Sequence, residues 1–117
     1  MNLRKNIVKE RLYEGKTVSC FAAWGYGDAD HIERLAPLKP HGIFLEGEHG
    51  DVDYNNIPNL TRACDIIGAT PIVRINQNDQ GVIYRTLDLG ALGIVVPHVN
   101  NKEEAENVVE GAKFYPL

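Results

Sequence analysis

The sequence predicts an α/β protein, an amino-terminal helix followed by four strand–helix units with the strands parallel in one sheet. Short β-branched and apolar runs alternate with longer stretches that carry apolar residues at helical spacing. The joins between them are short, as βα units require. Ionisable residues gather directly after the apolar runs, where parallel strands present their carboxyl ends. Four such units suit two architectures. One is a small, open, doubly wound sheet; the other is half of a (β/α)8 barrel, whose full length is typically about 250 residues.

Residues 3–14 read as an amphipathic helix with Leu3, Ile7, Val8 and Leu12 on one face, Asn2 as its cap and Gly15 as its stop. Residues 17–23, Thr-Val-Ser-Cys-Phe-Ala-Ala, read as the first strand, and Trp24 opens a Gly-rich loop that runs to Asp28. Asp30 and Glu33 have capping-box spacing, Ile32, Leu35 and Ala36 form an apolar stripe, and Pro37 and Pro40 bracket the exit. The second strand, Gly42–Glu46, is the one the chain is organised around: Ile43, Phe44 and Leu45 end abruptly in Glu46, and Gly47, Glu48, His49 and Gly50 follow.

A polar loop then runs to Asn56. Pro58 sits in the first turn of the next helix, where a missing N–H is harmless, and Leu60, Ala63, Cys64 and Ile67 repeat at helical spacing before Gly68. Residues 70–75 read as the third strand. Asp79 caps a helix carrying Val82, Ile83 and Leu87, and Gly90 and Gly93 lead into a fourth strand at residues 94–96. Strands 2 and 4 look apolar on both faces, as a helix-covered parallel sheet requires. Asn101 and Glu104 make a further capping box, ahead of a last helix with Ala105, Val108, Val109 and Ala112 on one side.

The 117 residues are read as a single domain, 44% hydrophobic and 24% charged, with a net charge of -4. With no basic stripe, the chain lacks the footprint of a nucleic-acid binder. No apolar run is long enough to span a membrane, and Met-Asn-Leu-Arg-Lys-Asn does not open a signal peptide. Cys20 and Cys64 sit in apolar segments outside any CxxC, so both are expected as buried thiols in a reducing, cytoplasmic setting.

Carrying two carboxylates and an imidazole to the rim of a core is costly unless they are paired, bound to metal or used in chemistry. The expected rim set is Trp24 and Tyr26 after strand 1, Glu46, Glu48 and His49 after strand 2, Arg74 on strand 3, and Pro97 and His98 after strand 4. Arg74 suits a bidentate carboxylate or an enolate; the alternative is an ion pair with Glu46 or Glu48. His49 is the general-base candidate by position, and His98 the second. His98 could equally be a packed strand-end histidine. His31 and His41 lie toward the amino-terminal side and read as surface residues.

Phe-Leu-Glu-Gly-Glu-His-Gly, Pro-Ile-Val-Arg-Ile-Asn-Gln-Asn-Asp, Leu-Asp-Leu-Gly-Ala-Leu-Gly-Ile-Val-Val-Pro-His-Val-Asn and Lys-Phe-Tyr-Pro occur in this order. Together they resemble the HpcH/HpaI aldolases, metal-dependent lyases of 2-oxo acids, over almost the whole chain. The resemblance implies the amino-terminal half of a (β/α)8 TIM-type barrel. It implies His49 as catalytic base working with Asp88, and Arg74 as the holder of the pyruvate carboxylate and enolate. Trp24, Pro97 and His98 join Arg74 as the expected substrate-binding set. A divalent ion (Mg, Mn or Co) is implied for the complete barrel, its ligands on later strands and none within this chain. Glu46, where the family often has aspartate, and Glu48 stand as outer carboxylates near metal-bound water.

The implied substrates are a 2-oxo acid such as pyruvate and an aldehyde. The implied partners are further copies of the chain or a complementary carboxyl-terminal half. A truncated, non-catalytic half-barrel that binds a small anion or only assembles with a complementary chain is the rival expectation. Topology adds one more. Asp88 ends the third βα helix, which runs back toward the rim opposite His49, and a strand spans about 17 Å. Asp88 is therefore expected to reach His49 of a neighbouring subunit and to steady its protonated form; the alternative is a local pairing near Arg85.

Overall fold

In a computed structural model, which describes residues 4–23 and 28–113, the chain forms one parallel sheet of four strands in the order β1-β2-β3-β4. The strands are β1 (Cys20–Ala23), β2 (Gly42–Glu46), β3 (Thr70–Arg74) and β4 (Gly93–Val95). The α-helices are α1 (Ile7–Tyr13), α2 (Ala29–Arg34), α3 (Ile57–Ile66), α4 (Gln80–Asp88) and α5 (Lys102–Ala112).

Side-chain alternation separates the two sheet faces. Ile43, Leu45 and Val73 point one way and are sealed in a single core with Ile32 of α2, Leu60, Ala63 and Cys64 of α3, and Ile83 of α4. Val108 of α5 packs on the same cluster. Helices α2 to α5 therefore cover one face. A doubly wound sheet would divide them between two faces, so the arrangement is that of a half-barrel. The other face carries Cys20, Phe44, Glu46, Ile72, Arg74 and Val95, paired across strands as Phe44 with Ile72, Glu46 with Arg74, and Arg74 with Val95.

Helix α1 crosses the amino-terminal end of that second face. Val8 N–H donates to Thr70 Oγ1 at 3.2 Å, and Asn6 Nδ2 donates to the Leu92 carbonyl at 2.8 Å. Arg4 donates to the Gly90 carbonyl at 2.7 Å and pairs with Asp65 at 2.8 Å. Close approach leaves no room at Gly42, where a Cβ would lie 2.9 Å from Cys20 Sγ and 3.0 Å from Val8 Cγ2.

Several boundaries differ from expectation, each for a local reason. Asn6 caps α1, accepting from Lys9 N–H, so the helix starts later than residue 3; Asn2 and Leu3 lie outside the described residues. Leu12 is exposed, because α1 is held by polar contacts at its start and buries no residue. Asp28, not Asp30, caps α2, accepting from Asp30 N–H. Strand β1 begins only at Cys20, because it has a neighbour on one side alone, and Cys20 is exposed rather than buried. Cys64 is buried as expected, and burial pushes its thiol up to about 12. Strand β4, the other edge, starts one residue early and is not buried on both faces; Val95 is exposed.

Other signals held. Pro58 lies in the first turn of α3, and Asp79 accepts from Val82 N–H at the start of α4. Asn101 accepts from Glu104 N–H, while Glu104 reaches back to Asn100 N–H at 2.6 Å rather than to the cap residue. Asn101→Ala should lower stability by about 1 kcal/mol, and Ile83→Ala by roughly 2–5 kcal/mol, since Ile83 is wholly enclosed. Urea unfolding followed by circular dichroism measures both, and Ile83 should be the larger loss.

Candidate active site

The site is built from the last residues of β2 and β3. Register places Glu46 beside Arg74 on the face away from α2 to α5. Glu46 is wholly buried, and a bare carboxylate there would be very costly. It is instead saturated. Arg74 donates from Nε to Glu46 Oε1 at 3.0 Å and from Nη2 to Oε2, a bidentate fork. The N–H groups of Glu48 and His49 also donate to Oε1, at 2.8 and 3.1 Å.

Those two N–H groups reach Glu46 because the chain doubles back at once. Gly47 N–H donates to the Arg74 carbonyl at 2.8 Å, and Val52 N–H to the Glu46 carbonyl at 3.2 Å. A Cβ at Gly47 would sit 2.6 Å from the Arg74 carbonyl oxygen, and one at Gly50 2.6 Å from the Glu46 carbonyl oxygen. No side chain fits at either place, so both glycines are steric requirements of the turn.

The turn delivers Glu48, whose side chain is only 11% exposed, to the centre of a charged group. Its Oε2 lies 3.4 Å from Arg74 Nε and 3.6 Å from His49 Nε2. Its Oε1 lies 3.1 Å from His98 Nε2, contributed by the segment after β4. Three strands thus bring Glu46, Arg74, Glu48, His49 and His98 together at one rim. Phe44 lies beneath, its ring centroid 5.8 Å from the Arg74 guanidinium carbon. Burial by itself would raise the Glu46 carboxyl, but the Arg74 and backbone hydrogen bonds outweigh it and hold the group below its ordinary value. The same bond to Glu46 raises Arg74 above the usual arginine range.

The remaining expected residues fall as follows. Trp24 and Tyr26 lie outside the described residues. Pro97 is half-buried and precedes His98 in the chain. His31 and His41 are half-buried rather than on the surface, and His41 Nδ1 accepts from Ser19 N–H at 2.9 Å. Asp88 ends α4 toward the opposite rim and makes no hydrogen bond or ion pair with His49 of its own chain. Arg85 is not its local partner; it stacks on Tyr54, 4.2 Å from the ring centroid. The Glu48–His98 contact, between residues 50 apart in sequence, was not foreseen.

Among the described residues no three of His, Cys, Asp and Glu converge to hold a metal ion. Glu46 and Glu48 are paired with Arg74 and the imidazoles. A cavity of about 340 Å³ opens on the helix side of β3, lined by Tyr54, Ile57, Val73, Val82 and Thr86. Gly47 and Arg74 also line it.

Glu46 has a folded-state pKa below its unfolded value, so its stabilisation is full above the ordinary value of 4.5 and is lost as pH falls through the depressed one. Acid titration of unfolding free energy should therefore fall below about pH 4.5 in the wild type. Glu46→Gln should flatten that dependence and lower stability at neutral pH, because Arg74 loses its closest carboxylate and keeps Glu48 at 3.4 Å.

Residues 27–116 match the model of the HpcH/HpaI aldolase/citrate lyase family. The chain is 33% identical over 86 residues to a hydroxypyruvate/pyruvate aldolase of Rhizorhabdus wittichii, covering 74% of this chain and 34% of that protein. It is 31% identical over 117 residues to a pyruvate aldolase of Rhizobium etli, covering 99% of this chain and 45% of the relative. The crystal structure of an HpcH/HpaI aldolase from Desulfitobacterium hafniense superposes with a TM-score of 0.87 at 28% identity, over 95% of this chain and 43% of that one. The chain thus spans less than half the length of the relatives it matches, and its four units correspond to half of their barrel. Both the sequence match and the superposition place this chain in the HpcH/HpaI aldolase/citrate lyase family.

Proposed function

We propose that these residues form part of an aldolase that makes or breaks the carbon–carbon bond next to a pyruvate-type 2-oxo acid. The observation that carries the reading is the buried fork of Glu46 on Arg74, with His49 and His98 beside it at the rim. Glu46 fixes the guanidinium in one plane. A 2-oxo acid approaching that plane finds a cation for its carboxylate and for the enolate that develops in the reaction. In the cleavage direction His49 takes the proton of the 4-hydroxyl group. The C3–C4 bond then breaks, the aldehyde leaves, and the electron pair remains on the pyruvate fragment as the enolate, which is reprotonated at C3. A divalent ion (Mg, Mn or Co) belongs to this proposal for the complete barrel, held by groups outside the described residues. The Rhizorhabdus wittichii relative is named as a hydroxypyruvate/pyruvate aldolase and the Rhizobium etli relative as a pyruvate aldolase, which supports a pyruvate-type 2-oxo acid.

Asp88 enters as the group that orients His49 across an interface. Within one chain it stands near the far rim, so the carboxylate that meets His49 is Asp88 of the partner subunit, and the working assembly is an oligomer. The rival reading is a half-barrel that binds a small anion without turnover or associates with a complementary chain. The open edges at β1 and β4, with Phe21 and Val95 exposed, favour association in either case.

Arg74→Lys keeps the charge and loses the fork, so pyruvate affinity measured by calorimetry should fall roughly tenfold or more. An unchanged affinity would remove the anion-site reading. Asp88→Asn should depress aldol cleavage while leaving the thermal unfolding of the separate chain nearly unaltered. A dissociated chain should be inactive, which sedimentation run alongside an activity assay checks.

A further inference from the structure

The cavity of about 340 Å³ on the helix side of β3 plays no part in the chemistry proposed above. Interiors keep few voids larger than a water molecule, and ligand pockets begin at about 300 Å³. Its deep lining is apolar. Ile57 of α3, Val73 and Ile75 at the end of β3, and Thr86 of α4 are all buried. The Thr86 hydroxyl donates to the Val82 carbonyl at 2.7 Å, so it demands nothing of a ligand. Tyr54 is half-buried, and its stack on Arg85 ties the loop after β2 to α4.

The exposed residues of the lining are polar: Asp53, Asn76 and Gln77. Asp53 accepts from Asn55 N–H at 2.8 Å and so holds its own loop. The side-chain amides of Asn76 and Gln77 make no hydrogen bond with the described residues, and each offers a donor and an acceptor. Arg74 directs Nε and Nη2 to Glu46 on the opposite face of the sheet.

This lining selects by charge. A carboxylate in the mouth would meet the fixed anion of Asp53. An ammonium could pair with Asp53 only at its exposed edge, where such pairs contribute little. A neutral polar head suits the two amides, and an apolar body suits the floor. For scale, an apolar cavity of about 150 Å³ holds benzene, so a substituted ring fits the space here.

We propose that this cavity binds a small neutral molecule with a compact apolar body, about the size of a six-carbon ring, and one hydroxyl head. The body lies on Ile57, Val73 and Ile75, and the head exchanges hydrogen bonds with the amides of Asn76 and Gln77. The site is independent of the reaction at the rim and of Arg74 as an anion holder.

The probe is p-cresol, titrated into the full chain with its isoleucine and valine methyl groups labelled for NMR. Shifts should centre on Ile57, Val73, Ile75 and Val82, with a dissociation constant on the order of 1 mM. Toluene, which lacks the head, should bind about fivefold more weakly, the size of one hydrogen bond, and benzoate should not compete. Val82→Phe fills the space from a half-buried position and should abolish the shifts while Tm holds or rises. Asn76→Ala combined with Gln77→Ala, both at exposed positions, should bring p-cresol down to the affinity of toluene. The proposal is overturned by the absence of saturable binding, by shifts centred on Ile72 of the opposite face, or by benzoate binding as tightly as p-cresol. Undiminished binding to a folded Val82→Phe chain overturns it as well. If Val82→Phe does not fold, the double alanine variant decides, and an unchanged preference for p-cresol over toluene overturns the proposal.

Discussion

The ion pair between Glu46 and Arg74 is the constraint on which the rest of the rim depends. It joins the ends of β2 and β3 at the point where the strand register sets them side by side. Glu46 is also the fold's tether for the turn that follows, because the N–H groups of Glu48 and His49 end on its carboxylate. Remove that anion and two backbone donors and a tight turn lose their partner together, and the guanidinium loses its closest one. A buried pair of this kind is weak evidence for stability, since apolar replacements often serve as well. Its value here is geometric: it fixes where the neighbouring Glu48 and His49 must stand.

The two faces of the sheet are specialised in consequence. One is an ordinary apolar core under α2 to α5, with Ile43, Leu45 and Val73 fully enclosed. The other begins with small and apolar residues near α1 and becomes ionic at its carboxyl end. The same strands serve both, because alternate residues point opposite ways. Ile43 and Leu45 of β2 belong to the core; Phe44 and Glu46, in between and after, belong to the site.

Much of this was legible in the residues. The apolar runs, the caps Asp79 and Asn101, and Pro58 placed β2, β3 and the later helices closely, because each is a local signal with a local cause. The abrupt end of an apolar strand in Glu46, Glu48 and His49 marked the site. Less legible were features set by neighbours. Cys20 sits in an apolar segment, yet it is exposed because β1 is an edge. Leu12 fits a helical stripe, yet α1 is anchored by Arg4 and Asn6 instead. The pairing of Arg74 with Glu46 follows from register, which a sequence shows only once both strand ends are known. The left-handed turn that brings His98 to Glu48 has only a faint local signal: histidine is enriched at positive φ, but nothing near it in sequence names Glu48 as its partner.

The anchoring of α1 has a consequence for how the chain folds. Consecutive βα units touch mainly their neighbours, and such arrays can melt piecemeal, as repeat proteins do. Arg4 and Asn6 instead bond to carbonyls 86 residues away, at Gly90 and Leu92, and Val8 bonds to Thr70 in between. Among the described residues these contacts close the longest loops, whose closure entropy the rest of the fold must offset. They convert a row of units that could open one at a time into a hoop whose two ends must part together, and cooperativity of the whole is the property the first helix adds.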